Sequence, residues 1–257
     1  MSKYDFILDE ITYSFSSVTT FENCPYGFKL AYIDAESRED NYWGQRGSLM
    51  HEVLEKYYSN ELDFFELSEY YRKRYGDTIT TTLPPFIKTD YFSEDIKFLD
   101  NLYFDMDQYE IIKVEEKQDL FLSNGTKATY IADLILKDLT NNEIVIVDHK
   151  TANPFKNKKL DKKKMIGYEK QLNLYAFFVE RTKNILVDRL EIWFTKENYK
   201  HLVPCTETSK TAAHNWFINS IEKIKNETEF VPNQKKSNKF FCQHLCGTGN
   251  ICTYRPK

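Results

Sequence analysis

The sequence predicts an α/β fold with a mixed central sheet, and three observations support this prediction. Segments typical of helices and strands occur in the order helix, three strands, helix, strand and helix, which favours helices packed on a sheet. The run Ile144 to Thr151, IVIVDHKT, begins with four β-branched residues and is typical of a buried strand. The run Ala128 to Lys137, ATYIADLILK, is a second strand, and the short turn Asn141-Asn142 predicts that the two form a hairpin.

The composition limits the class of protein. With 257 residues, we expect a single domain over residues 1–257 with a sizeable core. No apolar run approaches the roughly 18 residues of a membrane span, and the first residues lack the basic-then-apolar order of a signal peptide. We therefore expect a cytoplasmic protein without a membrane partner. A net charge of -4 does not indicate a nucleic-acid partner, so any electrostatic footprint must be local.

Helices are predicted before the strands. Residues 13–33 place Phe21, Cys24, Phe28 and Tyr32 on one helical face, broken near Pro25. Residues 44–60 form a second helix that carries His51. Residues 61–106 alternate between helical and irregular patterns, and we find no chemistry there. A lone histidine on a helix is more often structural than functional, so the pattern alone leaves the role of His51 open.

The first strand and the later elements follow. The strand 110–122 contains Glu115 and Glu116, and side chains alternate along a strand, so only one of the two carboxylates can face the same site as Asp133. An amphipathic helix over 165–181 places Gln171 and Tyr175 one turn apart. A glutamine on the inner face of a helix needs a hydrogen-bond partner or points into a site. A strand over 187–195 and a helix over 211–227 complete the core.

A lysine-rich run lies between the hairpin and the amphipathic helix. Residues 152–170 contain seven lysines and two acidic residues, which fits either a solvated loop or a phosphate-binding segment. Its place beside the acidic strands favours phosphate binding. The candidate DNA contacts are Lys156, Lys158, Lys159, Lys162, Lys163 and Lys164.

The acidic strands predict a metal site. Asp133 and Asp148 would repel one another on adjacent strands unless a cation lies between them, and Mg²⁺ or Mn²⁺ prefers such oxygen ligands. Lys150 lies two residues after Asp148 and hence on the same face, where its ammonium can hold a water or a developing oxyanion. These groups are what metal-assisted attack of water on a phosphodiester needs.

Several stretches together resemble the PD-(D/E)XK nuclease superfamily, and specifically its RecB-type exonuclease branch. This branch includes the AddB nuclease domain, phage recombination exonucleases and CRISPR-adaptation exonucleases. The stretches are SFSSVTTFENCPYGFKLAYI, GSLMHEVLEKYY, YIADLIL, IVDHKT and QLNLYA, in the order of the branch. The resemblance implies a restriction-endonuclease-like αβββαβ core over about residues 44–200. It also implies a metal-dependent DNA exonuclease acting on single-stranded or end-processed DNA in recombination, repair or CRISPR adaptation.

The resemblance also implies roles for single residues. Asp133 and Asp148 would bind the metal, with His51 as a further ligand and the backbone carbonyl of His149 completing the shell. Lys150 would position the attacking water.

Three further catalytic positions are implied. Gln171 and Tyr175 would organise the site and contact DNA. Glu115 is the choice for the acid of the first strand, with Glu116 as the alternative.

The cysteines indicate a second site. Three of the five lie in the last sixteen residues, and an odd number in a reducing compartment argues against a disulfide framework. The resemblance implies that Cys24, Cys242, Cys246 and Cys252 hold a 4Fe–4S cluster that ties residues 13–33 to residues 240–257. His244 lies within the tail, so a zinc site remains an alternative.

Two other functions compete with the enzyme. One is a catalytically silent nuclease-fold module that binds DNA or acts as a scaffold, and the other is an iron–sulfur electron carrier. The complete set of site residues favours the enzyme, and the lack of a G-x-G-x-x-G motif disfavours the carrier. We expect DNA with a free end as the partner, and a recombination or CRISPR-adaptation protein as a further one. A chain without a helicase domain suggests a phage or accessory exonuclease.

Overall fold

A five-stranded mixed sheet forms the centre of the molecule. The computed structural model describes residues 3–233, 235 and 239–256. Its sheet has the order β1-β2-β3-β6-β7, in which only the β3–β6 pair is parallel. The strands are β1 (Tyr109–Phe121), β2 (Lys127–Asp138), β3 (Glu143–Lys150), β6 (Arg189–Phe194) and β7 (Tyr199–Val203). A separate short hairpin consists of β4 (Phe155–Lys156) and β5 (Lys159–Leu160). The predicted α/β class with a mixed sheet is confirmed.

Helices lie before, between and after the strands. They are α1 (Asp5–Glu10), α2 (Phe15–Asn23), α3 (Pro25–Phe28), α4 (Tyr42–Tyr58), α5 (Leu67–Thr78), α6 (Tyr91–Leu99), α7 (Lys162–Lys183), α8 (Glu207–Asn226) and α9 (Lys239–His244). The predicted break at Pro25 is present, because Cys24 is extended and Pro25 occupies the first position of α3. Among the described residues, none of the helices is both long and apolar enough to cross a membrane.

The sheet is covered on both faces. One core joins Ile146 and Ile192 to residues of α7 and α8 such as Leu172 and Phe217. The other core joins Leu134, Val147 and Trp193 to residues of α4, α5 and α6. Because side chains alternate along β3, consecutive residues of this strand enter different cores. Residues at the end of β3 therefore face α7 and α4 in turn.

The central hairpin stops pairing at a defined point. The β2–β3 pairs run from Asp138–Glu143 to Leu134–Val147, and the next two residues are Asp133 and Asp148. On its other side β3 continues to pair with β6 as far as Lys150. We call this opening between β2 and β3, beginning at Asp133 and Asp148, the fork. Asp133 and Asp148 therefore lie where β2 and β3 no longer pair with each other, although Asp148 still pairs with Ile192 of β6.

Some element boundaries differ from the predicted ones. Helix α7 begins at Lys162 rather than 165, because the Asp161 side chain accepts a hydrogen bond from the Lys164 backbone and caps the helix. The lysine run is therefore not one loop but a hairpin followed by the first turn of α7. Strand β7 was not predicted, because its five residues alternate weakly at the sheet edge.

Candidate functional site

The site is built around Asp133 at the fork. The backbone N–H of His149 donates to Asp133 Oδ2 at 2.7 Å, so the first bond across the open fork is made by a side chain rather than by the ladder. Burial raises the pKa of Asp133. A buried carboxylate with a raised pKa gains from a nearby cation. The structure supplies two such groups, His51 and Lys150.

His51 reaches the fork from α4. Its Nδ1 lies 3.0 Å from Glu115 Oε1 and 3.6 Å from Asp133 Oδ2, and its Nε2 lies 3.2 Å from the carbonyl oxygen of His149. Burial lowers the pKa of His51, but the Asp133 and Glu115 carboxylates raise it more, to about 9. The imidazole therefore contacts all three groups as a cation near neutral pH. A metal in this place would require the neutral ring.

Buried polar contacts fix the helix that carries His51. The Asn41 side chain caps α4 by accepting hydrogen bonds from the backbone of Trp43 and Gly44. The guanidinium of Arg46 binds the buried carboxylate of Asp95, and its Nη1 donates to the Thr151 carbonyl oxygen at 3.0 Å. Because Thr151 follows the end of β3, Arg46 ties the helix of His51 directly to the strand of Asp148 and Lys150. Sequence patterns did not identify Arg46.

The two acids of β1 have different surroundings. Glu115 has a positive φ of 43°, a left-handed conformation that is rare for a residue with a side chain and is concentrated at functional sites. Glu116 instead accepts from Lys183 at the end of α7, at 2.7 Å. Among the described residues, His51, Glu115 and Asp133 can bring one ligand atom each within 4.8 Å of one another. The geometry therefore favours Glu115 over Glu116.

Asp148 and Lys150 form a buried pair on the α7 side of β3. Lys150 Nζ lies 2.9 Å from Asp148 Oδ1 and 2.6 Å from Oδ2. Burial raises the pKa of Asp148 to about 6, although Lys150 opposes the rise, and burial lowers the pKa of Lys150 less than Asp148 and Asp133 raise it. Asp148 Oδ2 is buried and lacks a well-directed hydrogen bond. Its counter-charge is the Lys150 ammonium, 2.6 Å away.

Asp148 lies outside the three-residue group of His51, Glu115 and Asp133. The predicted ligand set had named Asp148 together with His51, Asp133 and the His149 carbonyl. In the structure, the carbonyl lies beside His51, whereas the Asp148 carboxylate is turned towards Lys150. The assignment of Asp148 as a ligand stays a prediction.

The side chain of His149 faces away from Asp148. It is buried beside Tyr58 and Trp193, with Nε2 3.3 Å from the Tyr58 hydroxyl. Burial lowers the pKa of His149 well below its usual value, so the ring is neutral. Its contribution to the site is its backbone, while its ring anchors the end of β3 in the second core. Tyr58 was not identified from the sequence, and only its place two turns after His51 hints at this role.

Helix α7 lines the other side of the site. Gln171 Nε2 donates to the Tyr175 hydroxyl at 2.9 Å, and burial raises the pKa of Tyr175 to about 12. One turn earlier, the Tyr168 ring lies 5.1 Å from Lys150 Nζ. Tyr168 lies on the same face of α7 as Gln171 and Tyr175, and the sequence analysis gives it no role. Its spacing of three and seven residues from Gln171 and Tyr175 was the available signal.

The candidate DNA-binding lysines divide into two groups. Lys156, Lys158, Lys159, Lys162 and Lys163 are exposed. Lys164 donates to the Asn153 carbonyl oxygen at 2.9 Å. In the hairpin, Lys156 pairs with Lys159, and such like charges placed opposite one another are destabilising. A polyanion beside the hairpin would remove that repulsion.

The cysteine region joins the two ends of the chain. The four cysteines predicted as ligands are free thiols, all half-buried. Burial raises the pKa of Cys242. Cys24 and Cys246 line a cavity of about 530 Å³.

Backbone contacts hold the cysteine tail against the N-terminal helices. The Glu39 N–H donates to the Gly247 carbonyl oxygen at 2.9 Å, and Asn41 Nδ2 donates to the Leu245 carbonyl oxygen. Backbone N–H groups of Gly27 and Asn233 donate to Cys24 Sγ, each at 3.4 Å. Among the described residues, only His51, Glu115 and Asp133 form a group of three or more candidate ligands within 4.8 Å of one another, so a metal group held by the four cysteines stays a prediction.

Comparison with known proteins decides the family. A family model of the PD-(D/E)XK nuclease superfamily matches residues 12–253. The chain belongs to this superfamily. The predicted superfamily is thus confirmed, whereas the assignment of Asp133, Asp148 and Lys150 to its motif stays a prediction.

One solved structure shares the fold of this PD-(D/E)XK protein. A crystal structure named "Putative exonuclease" from Eubacterium rectale aligns over 99% of this chain and 92% of its own, with 14% identity and a TM-score of 0.56. At that identity the likeness shows the restriction-endonuclease-like fold alone. A second structure, SSO0001, covers 96% of this chain and 88% of its own at 14% identity, with a TM-score of 0.42. A search of curated proteins gave no significant match.

Proposed function

We propose that this PD-(D/E)XK protein is a divalent-metal-dependent DNA exonuclease acting on single-stranded or end-processed DNA. The observation that carries the proposal is the fork, where His51, Glu115 and Asp133 lie within ligand distance beside the Asp148–Lys150 pair. Recombination, repair or CRISPR adaptation, the settings of the resembled branch, and a protein partner from them stay predictions.

The fork residues fit Mg²⁺ or Mn²⁺. His51, Glu115 and Asp133 would hold the ion, with the Asp148 carboxylate and the His149 carbonyl oxygen as further donors. The bound ion would polarise the phosphoryl oxygen and lower the pKa of the attacking water. Burial raises the pKa values of Asp133 and Asp148, because an ionised carboxylate is costly away from water. A bound cation would lower that cost.

Lys150 supplies the second cationic function. Its ammonium is held by Asp148, and N–H groups not used by that carboxylate are free to hold a water beside the phosphodiester. The charge also balances the negative charge that develops in the transition state. Gln171 and Tyr175, bonded to each other on α7, would keep this water and the DNA strand in register.

The basic hairpin β4–β5 supports DNA as the polyanion. It follows Lys150 by only a few residues, and the Phe155 ring packs 5.2 Å from Tyr199, which anchors the hairpin to the sheet edge. Exposed ammonium groups on an anchored element bind phosphates without costly ordering of the backbone. Lys156, Lys158 and Lys159 are the contacts we favour, with Lys162 and Lys163 continuing the surface into α7.

The cysteine region would hold a structural group. Cys24, Cys242, Cys246 and Cys252 are the four thiols that a 4Fe–4S cluster requires. His244, the alternative zinc ligand, packs its ring at 5.7 Å from Phe86 and 5.1 Å from Phe240. This packing favours four thiolates over a set that includes His244. The bound group would tie the tail to α2 and α3 and takes no part in hydrolysis.

Digestion of defined DNA tests the proposal. Linear single- and double-stranded DNA, labelled at either the 5′ or the 3′ end, is incubated with Mg²⁺, Mn²⁺ or EDTA, and circular single-stranded DNA serves as the control without ends. We expect metal-dependent release of short products from linear DNA and none from the circle. The position of the label that is released first gives the polarity of digestion.

Two outcomes would contradict the proposal. Cleavage of the circle at the rate of linear DNA would make the protein an endonuclease. Tight DNA binding with no cleavage in either metal would favour the catalytically silent module.

A further inference from the structure

Two groups hold the ammonium of Lys150. On one side, Asp148 contacts Lys150 Nζ with both carboxylate oxygens, at 2.9 Å and 2.6 Å. On another, the ring centroid of Tyr168 lies 5.1 Å from the same nitrogen. A cation within about 6 Å of an aromatic ring face is attracted by the quadrupole of the ring. The contact involves the Tyr168 ring rather than its hydroxyl group.

The place of the Tyr168 ring is set by two elements. Tyr168 lies on α7, on the face that also carries Gln171 and Tyr175. Its ring packs 6.1 Å from the ring of Phe194, and Phe194 pairs with Lys150 across β3 and β6. Phe194, the strand partner of Lys150, therefore supports the Tyr168 ring. This arrangement places the ring against the lysine rather than against solvent.

An aromatic ring suits this position better than another acid would. The fork already holds the carboxylates of Glu115, Asp133 and Asp148, and a fourth would compete for the same cations and raise the repulsion among them. A ring attracts an ammonium without carrying a net charge. It also restrains a side chain with four rotatable bonds, whose freedom would otherwise spread the ammonium over many positions. Because Asp148 and Tyr168 hold the ammonium in place, the N–H groups of Lys150 that do not contact Asp148 point in a defined direction.

We propose that Tyr168 is a positioning residue that aims the Lys150 ammonium through the face of its aromatic ring. The effect on cleavage rate rests on the proposed nuclease function, whereas the contact itself does not. A purely structural alternative is that Tyr168 only fills space between α7 and β6. The two differ in their dependence on ring electronics, because packing depends on shape and a cation–π contact depends on the quadrupole.

A fluorination series at position 168 separates them. Phenylalanine and its mono-, di- and trifluorinated forms are incorporated at 168, and single-turnover cleavage of labelled DNA is measured at saturating protein. We expect Tyr168→Phe to stay within about threefold of the wild type, and each added fluorine to lower the rate stepwise. Tyr168→Leu should fall roughly 5- to 30-fold, the loss that a desolvated cation–π contact converts to. DNA affinity should change less than the rate.

Phe177 provides a matched control on the same helix. Its ring centroid lies 4.4 Å from the Arg181 guanidinium carbon, so it makes a cation–π contact away from the fork. The same fluorinated residues at 177 should leave the cleavage rate unchanged. A flat series at 168, or a Tyr168→Leu variant as active as Tyr168→Phe, would overturn the proposal.

A second measurement does not depend on cleavage. The ε-methylene protons of Lys150 are observed by NMR in protein with ¹³C-labelled lysine, with Lys150→Arg used for assignment. A ring face beside the side chain shifts these protons upfield, so we expect the shift in the wild type and in Tyr168→Phe and its loss in Tyr168→Leu. If the protein cuts no DNA but the shift behaves this way, the contact stands and only the nuclease function fails. An unshifted resonance in the wild type would overturn the contact.

Discussion

The fork and the cysteine region are both predicted to bind metal, but the fold supports them differently. The groups of the fork stand on long strands and helices between two packed cores, and they contact one another directly at 2.6–3.6 Å. Cys242 lies on the six-residue helix α9, and Cys246 and Cys252 follow it, whereas Cys24 lies between α2 and α3 near the start of the chain. The fold itself builds the fork, whereas the cysteine region is predicted to need a bound group to bring its four thiols together.

This difference separates what each region controls. Loss of a fork residue should remove the chemistry while the cores remain packed. Loss of a cysteine should weaken the attachment of the tail while the fork keeps its contacts. The predictions below test this separation, beginning with the largest expected effect.

Substitution of Lys150 or Asp148 should abolish cleavage. We expect Lys150→Ala and Asp148→Asn each to lower the single-turnover rate by about 10³-fold or more, because each removes a charge that acts in the transition state. Circular dichroism should show the wild-type fold. Digestion of labelled DNA with Mg²⁺ or Mn²⁺ measures the loss. Undiminished cleavage by either variant would remove the assignment of the site.

Cysteine substitution should affect stability more than rate. We expect Cys246→Ser to lose any visible iron–sulfur absorption and about 2–4 kcal/mol of stability, comparable to the loss of a covalent crosslink that closes a long loop. Cleavage per folded molecule should fall less than tenfold. Thermal unfolding, limited proteolysis of the tail and metal analysis measure these effects. A colourless wild-type protein containing zinc after anaerobic purification would rule out the cluster.

Gly249→Ala offers a milder test of the same region. A Cβ atom on Gly249 would lie 3.0 Å from the carbonyl oxygens of both Cys242 and Cys246, so the turn that carries the cysteines must shift. We expect lower occupancy of the bound group with all four thiols still present. Gly76→Ala, where a Cβ meets nothing within 4 Å, is the control.

If Cys246→Ser lost as much activity as Lys150→Ala in fully folded protein, the two regions would not be separate.

The sequence predicted the parts of the fork but not its shape. Asp133, Asp148 and His51 stand on regular elements whose periodicity was readable, so their convergence followed from element order and the resemblance. The positive φ of Glu115 and the end of pairing at Leu134–Val147 depend on contacts between strands distant in sequence. No local pattern encodes them, and the choice of Glu115 over Glu116, made from the sequence and favoured by this geometry, stays a prediction.

Contacts across the fold were equally out of reach. Arg46 binds Asp95 and the Thr151 carbonyl, residues 49 and 105 positions away. A buried arginine on a helix face otherwise typical of a packed core has no distinctive spacing. The place of Tyr168 beside Lys150 likewise depends on how α7 packs over β6.

The charges of the fork predict a pH dependence of stability. The folded pKa of His51 is about 9, above its ordinary 6.5, so the stabilisation that it provides is fully present below pH 6.5 and is lost as pH rises through 9. The folded pKa of Asp148 is about 6, above its ordinary 3.8, so its contribution to stability is likewise lost as pH rises from 3.8 to 6. In both cases the folded state binds more protons than the unfolded state.

Chemical unfolding in EDTA should therefore show falling stability from pH 6.5 to 9. We expect a decrease on the order of 1–3 kcal/mol from His51. His51→Gln should flatten this part of the curve, whereas His244→Gln should not. Mn²⁺ should oppose the decrease, because it binds the neutral imidazole. A wild-type curve that rises or stays level between pH 6.5 and 9 in EDTA would contradict the charge arrangement of the fork.

Substitutions in the basic hairpin should have the smallest effect among these predictions. They test whether DNA binds beside the fork or at the cysteine region. Replacing Lys156, Lys158 and Lys159 with glutamine should weaken DNA binding roughly tenfold at low salt and reduce the salt slope by about 2–3, since each phosphate contact contributes about 0.7–0.9. Fluorescence anisotropy across a salt series with inactive Lys150→Ala protein measures both values. Lys170→Gln is the matched control. The Lys170 ammonium lies 4.1 Å from the Trp216 ring centroid, and this contact holds it away from DNA. An unchanged slope in the triple variant, with weaker binding in Cys246→Ser, would place the DNA on the tail instead of beside the fork.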